Sequence, residues 1–252
     1  MLLYIIAIVT AILIARLAHS ATEMRNPQLS AYIFAALYLL SLLVFLSLFF
    51  NLHSSIITLL ILLSYFPLTS ADNSFSSSTT DGNAVSSLLA FLALGTSSIL
   101  STTALWLIPA YIVAQVMLRS LTPKAIVAAL LGILVPWLWK WGVGELVNSY
   151  QLTVNNESAI SPQSSFLIPS IILFIIYIIG VWHFNKKMYF DKSRTRVVWQ
   201  VIMFFGIYTF LLLFISLFNL HSSSFILQFS IWYTIALVNT TLLTSRMIST
   251  ML

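Results

Sequence analysis

The chain has 252 residues, a formal net charge of +5 and no cysteine; 60% of its residues are hydrophobic and only 7% are charged, with a mean hydropathy of +1.02. A soluble domain carries about a quarter charged residues, so a water-soluble fold of this size is excluded and lipid is the expected solvent. Zero cysteine rules out a disulfide framework, thiolate metal ligands and a cysteine nucleophile.

Nine apolar segments follow one another along the chain: 2–18, 29–50, 54–68, 84–100, 102–119, 124–141, 166–184, 197–218 and 224–244. A membrane-crossing helix needs about 20 apolar residues. The first run, MLLYIIAIVTAILIARLAH, has its cationic flank after the apolar stretch, so it reads as a span and not as a signal peptide. Segment 54–68 is short and ends at Pro67, and 84–100 is diluted by Ser86, Ser87, Gly95, Ser97 and Ser98. The runs are continuous, without the dyad alternation of a barrel. The expectation is a single all-α integral membrane domain over residues 1–252, a polytopic transmembrane helical bundle of about eight or nine spans. The abrupt apolar ends lead us to expect a trimmed version of a longer protein.

Basic residues fall in four places: Arg16 and Arg25; Arg119 and Lys124; Lys186, Lys187, Lys192, Arg194 and Arg196; and Arg246. If every segment spans, all four groups share one side, which the positive-inside rule makes cytoplasmic. The loop 142–165, with Glu145 and Glu157, faces the other side, and Lys140 sits among Trp137, Trp139 and Trp141 as part of an interfacial belt. The polar linker 69–84 carries Asp72 and Asp81 yet falls on the cytoplasmic side, a weak conflict because acidic residues count little. No basic face with interleaved aromatics exists, so nucleic acid is not an expected partner.

The six acidic residues, Glu23, Asp72, Asp81, Glu145, Glu157 and Asp191, all lie in loops or at segment ends, as do the lysines and arginines. Ion-coupled pumps keep such groups inside the bilayer, so that class is disfavoured. Gln115, Gln228, Asn239, Thr240, Thr241 and the Ser/Thr run 96–103 are the polar groups within spans, and hydrogen bonding between helices is their simplest role. The hexapeptide FNLHSS occurs twice, at 50–55 and 218–223, and brings His53 and His221 to the same face. Two neutral imidazoles without a thiolate or carboxylate make a poor ligand set. We therefore read both copies as helix-joining turns, with duplication of a basic loop–span–FNLHSS–span unit as the alternative. KKMYFDKSRTR, residues 186–196, reads first as a topology signal and second as a contact for anionic head groups.

The stretch GTSSILSTTALWLIPAYIVAQVMLRSLTPKAIVAALLGILVPWLWKW, residues 95–141, combines a glycine-bearing helix, a helix with a mid-span proline, a short arginine loop and a helix ending Gly-x-x-x-Pro-Trp. With FDKSRTR and the first loop, Arg16 to Pro27, it resembles an uncharacterised family of polytopic inner-membrane proteins from Bacteroidota. Gly95 to Trp137 alone is also similar to the C-type membrane glycosyltransferases, which use polyprenyl-phosphate sugars. Those enzymes place a catalytic acidic residue in the first outer loop, whereas this chain offers only Glu23, on the inner side by charge.

The expected role is a non-catalytic envelope or assembly component, multi-pass in a bacterial inner membrane. Its partners are the lipid bilayer and other membrane proteins, with no cofactor and no metal. The alternatives are a relative, active or inactive, of the polyprenyl-phosphate-sugar transferases, and a carrier without ion coupling. No catalytic set emerges from the residues. The charge map makes one direct prediction: single cysteines replacing Ser54 and Ser222 react with an impermeant maleimide from the same side of the membrane. Labelling from opposite sides would overturn the nine-segment topology.

Overall fold

The computed structural model describes residues 9, 12, 52–70, 80–142, 163–187, 193–218 and 225–251, all in helices or the short turns between them. In chain order the elements are α1 (Leu52–Ser70), α2 (Thr80–Leu100), a 3₁₀ segment (Thr102–Leu107), α3 (Ile108–Met117), α4 (Pro123–Gly142), α5 (Gln163–Lys187), α6 (Ser193–Phe218) and α7 (Phe225–Met251). The all-helical class agrees with the sequence. Among the described residues, four helices are long and apolar enough to cross a membrane: Gly82–Leu100, Pro123–Gly142, Leu167–Lys186 and Arg196–Leu217. At 1.5 Å per residue each matches the roughly 30 Å hydrocarbon layer. The expected segments 2–18 and 29–50 lie outside the described residues, apart from Val9 and Ile12.

Residue pairs fix the helix directions. Ser87 Oγ donates to the Ala125 carbonyl at 2.9 Å near the start of both helices, and Trp137 Nε1 donates to Ser98 Oγ at 2.9 Å near their ends, so α2 and α4 run parallel. The chain returns between them through the 3₁₀ segment and α3, whose Gln115 Nε2 donates to Ser87 Oγ at 2.8 Å. Segment 102–119 is therefore not one regular helix. Pro109 has no N–H and would break a continuous helix; the 3₁₀ segment ahead of it puts Pro109 in the first turn of α3, where that N–H is not needed. Tyr208 Oη donates to the Trp106 carbonyl at 2.7 Å, while Tyr111 and Phe205 lie edge to face at 5.1 Å, so α6 opposes α3. Ring pairs Phe184–Trp199 at 5.4 Å and Phe174–Phe214 at 5.4 Å oppose α5 to α6.

These directions bring the Arg119–Lys124 turn, the Lys186–Lys187 end of α5 and the Arg194–Arg196 start of α6 to one end of the bundle. Arg119 itself occupies the left-handed region (φ 53°), the position that ends a helix and that glycine usually fills. The Ser120 N–H reaches back to the Gln115 carbonyl at 3.0 Å and closes that turn. At the other end Lys140 lies over the Trp137 ring at 5.1 Å, and Trp139 and Trp141 are exposed. Lys186 covers Trp182 at 4.2 Å on the basic end. Both pairs place a cation above an aromatic face at interfacial depth.

The tightest packing joins α2 to α4. Pro136 removes the N–H that would bond to the Gly132 carbonyl four residues earlier. That carbonyl points instead at Gly95: a Cβ there would sit 2.8 Å from it and 3.1 Å from the Pro136 ring. Gly132 in turn lies against the α2 backbone, where a Cβ would come within 2.8 Å of the Leu88 carbonyl and the Leu92 nitrogen. Small residues at such crossings let helix backbones approach closely in a membrane. Gly132→Ala is expected to destabilise the protein by about 1–3 kcal/mol, seen as a lowered thermal midpoint in detergent. Gly142→Ala, where a Cβ meets nothing within 4 Å, serves as the unchanged control.

Candidate functional site

Five elements meet at one junction. Tyr65 of α1, Phe91 of α2, Tyr111 of α3, Phe205 of α6 and Asn239 of α7 are all buried. Phe91, Phe205 and Asn239 come from the middle of their helices, Tyr111 from the first half of α3 and Tyr65 from the last third of α1. The rings interlock: Tyr65–Phe205 at 4.8 Å, Tyr111–Phe205 at 5.1 Å, Phe91–Tyr111 at 5.7 Å and Tyr65–Tyr111 at 6.1 Å. Tilted and edge-to-face arrangements of this kind add to the area they bury.

A buried phenol needs a polar partner. The Tyr111 hydroxyl meets Ser64 Oγ and the Ile61 carbonyl of α1, and Ser64 Oγ itself bonds that carbonyl. One polar turn of α1 thus receives the hydroxyl of α3. The Tyr65 hydroxyl faces the Asn239 carboxamide as its hydrogen-bonding neighbour. Yet neither carboxamide atom of Asn239, a residue with no exposed surface, has a partner at full hydrogen-bond geometry.

The polar residues singled out in the sequence include some that bridge helices and some that bond to their own helix. Gln115 does bridge helices, through Ser87, and its Oε1 is buried without a partner. Ser98 also bridges, as the acceptor for Trp137. Thr240 and Thr241 do not: they donate to Ala236 and Val238 carbonyls of their own helix at 2.7 and 2.9 Å. Thr96, Ser97 and Ser98 likewise donate to carbonyls three residues back. A hydroxyl that satisfies itself on its own turn needs no neighbour, which is why, among the described residues, Thr96, Ser97, Thr240 and Thr241 show no bond between helices, while Ser98 still accepts one from Trp137.

His53 lies in the first turn of α1, while His221, Glu145 and Glu157 lie outside the described residues. Among the described residues, no three His, Asp or Glu side chains are placed to hold a metal. Ser64, Tyr65 and Tyr111 were not singled out from the sequence. The available signal was the phenol itself, which when buried calls for a partner on another element. Residues 95–141 supply Gly95, all but the last residue of α4, and Tyr111. Comparison with family models, characterised proteins and solved structures finds no match to this chain.

Tyr111→Phe removes the hydroxyl and leaves the ring. Its expected effect is a loss of about 0.6–2 kcal/mol, the range for such bonds within membranes. Tyr111→Ala removes the rings' common neighbour and is expected to lose about 3–5 kcal/mol. Thermal unfolding of the detergent-solubilised protein measures both. An unchanged midpoint for Tyr111→Phe would show that the hydroxyl contact contributes nothing.

Proposed function

We propose that this chain is a multi-pass component of a bacterial inner membrane, crossing about eight or nine times, that serves envelope assembly without catalysing a reaction. The observation that carries the reading is the packed centre. The groups that five elements bring together are phenols, hydroxyls and a carboxamide, none of which exchanges protons near neutral pH. Aromatic rings fill the space between them. Such a junction holds helices together and offers no acid, base or nucleophile activated for chemistry.

The gathering of Arg119, Lys124, Lys186, Arg194 and Arg196 at one end supports a cytoplasmic assignment for that end. The outward faces of α4 and α5 support lipid and other membrane proteins as the partners. On α4 the exposed residues include Val127, Leu131, Leu134 and Leu138, and on α5 Ile168, Ile172, Ile175 and Ile179. These two are the least enclosed of the four long apolar helices.

A second reading, a carrier without ion coupling, draws on one observation: the hydroxyls and the Asn239 carboxamide gathered at mid-depth. One experiment separates the two. A photo-crosslinking residue is placed in living cells at Leu134 and Leu138 on α4, and at Ile172 and Ile179 on α5. Assembly predicts a discrete protein adduct from one of the two faces. A carrier acting alone gives lipid adducts from all four positions, and that outcome would overturn the assembly reading.

A further inference from the structure

Three cations from three neighbouring elements stand at one level on the basic end. Tyr111 of α3 and Phe205 of α6 mark a shared depth, edge to face at 5.1 Å. About two turns inward from that pair, Leu118 and Val198 are both buried in the same core. Arg119 follows Leu118, and Arg196 comes just before Val198. Phe184 of α5 pairs with Trp199 of α6 at 5.4 Å, which brings Lys186 to the same level. Arg119 and Lys186 are exposed and Arg196 is half-buried. Among the described residues the acid at this end is Asp81, which opens α2 beside the start of α4; Asp191 lies outside the described residues. Positive-inside topology asks only that cations lie in the loops of one face. It does not account for Arg119 at φ 53°, a left-handed position that glycine fills at least cost, so that an arginine there holds its charge against the preference of its backbone. Nor does it account for the surface beneath the cations. On α6, Arg196, Gln200, Phe204, Ile207 and Leu211 recur every three or four residues and are half-buried or exposed, so they line one outward face. Tyr208 stacks on Phe204 and carries that face across to the Trp106 carbonyl ahead of α3, which exposes Val116. On the α5 side the Lys186 ammonium lies 4.2 Å from the centre of the exposed Trp182 ring. Charge at the end and apolar surface below it is the layout of a phospholipid.

We propose that Arg119, Arg196 and Lys186 hold the phosphate of an anionic phospholipid, whose acyl tails lie on the outward face of α6 between α3 and α5. Arginine meets phosphate oxygens with a planar fork of donors, and lysine adds a point charge. A zwitterionic lipid carries its own cation and brings no net charge to the three, so the site discriminates by head group. The proposal rests on the reading of the basic end as a membrane face.

Native mass spectrometry of the detergent-solubilised protein tests this by titration with phosphatidylglycerol and with phosphatidylcholine of identical chains. Phosphatidylglycerol is expected to bind several-fold more tightly. Arg119→Gly suits the backbone at that position and removes the charge. Combined with Arg196→Gln, it is expected to bring phosphatidylglycerol to the phosphatidylcholine affinity, whereas Lys140→Gln at the other end keeps the preference. Glycerol phosphate supplies the charged group without tails and is expected to bind several-fold more weakly than phosphatidylglycerol; binding as tight as the lipid's would assign a soluble anion and overturn the lipid. The comparison of the two lipids needs no variant, so it decides the matter even if the double variant does not fold. None of these affinities depends on the crosslinking from α4 and α5, so this proposal and the assembly reading fail separately. Equal affinity for the two lipids, or a preference that survives in a folded double variant, would overturn the site.

Discussion

The Tyr111 hydroxyl, held by Ser64 and the Ile61 carbonyl, is the contact on which the arrangement of the bundle depends. In lipid no hydrophobic driving force presses apolar helices together, so packing and hydrogen bonding must do so. Tyr111 supplies both. Its hydroxyl ties α3 to α1, while its ring meets Phe91 of α2 and Phe205 of α6. The break at Ser101 and the 3₁₀ turn matter for the same reason. They set the start of α3, and so the depth at which its one tyrosine meets the other helices.

A second constraint orders the rest: polarity follows enclosure by protein. From Phe229 to Leu243 every residue of α7 except Thr234 is buried, and this helix carries Ser230, Thr234, Asn239, Thr240 and Thr241. On α4 and α5 the exposed side chains are Val, Leu, Ile and Trp, apart from Lys124, Lys186 and a few small or polar positions near the ends. A helix wrapped by other helices meets partners for its polar groups, whereas a helix facing lipid meets none. The same rule explains the self-satisfied hydroxyls. Thr209, Ser216 and Ser230 each donate to the carbonyl three residues back, which lets a polar side chain sit in an apolar layer without a partner from outside.

What was legible in the sequence follows from how far each signal reaches. The helical class and the positions of 124–141, 166–184 and 197–218 came from local composition, and α4, α5 and α6 fall within a few residues of them. The shared side of Arg119, Lys124, Lys186 and Arg196 was legible because alternation of direction needs only a count of segments. Gly95, Gly132 and Pro136 stood out as a pattern, but their meaning did not. That a proline frees a carbonyl is local; that the carbonyl then points at a glycine on a parallel helix is tertiary. Tyr65 and Tyr111 were two tyrosines among ten, and nothing local sets them apart from Tyr208, whose hydroxyl reaches the Trp106 carbonyl at a partly exposed position. Asn239 and Gln115 were visible because a carboxamide is rare in an apolar run.

Each side of the junction is held in a different way. Between α1 and α3 the hydroxyl contact is closed, with three polar atoms meeting directly. Between α2 and α4 backbones touch through glycine, and a packed backbone contact has no slack. Between α1 and α7 the Tyr65 hydroxyl and the Asn239 carboxamide face one another, and both groups donate and accept hydrogen bonds, so this side joins its helices by neutral polarity where the α2–α4 contact does so by backbone packing.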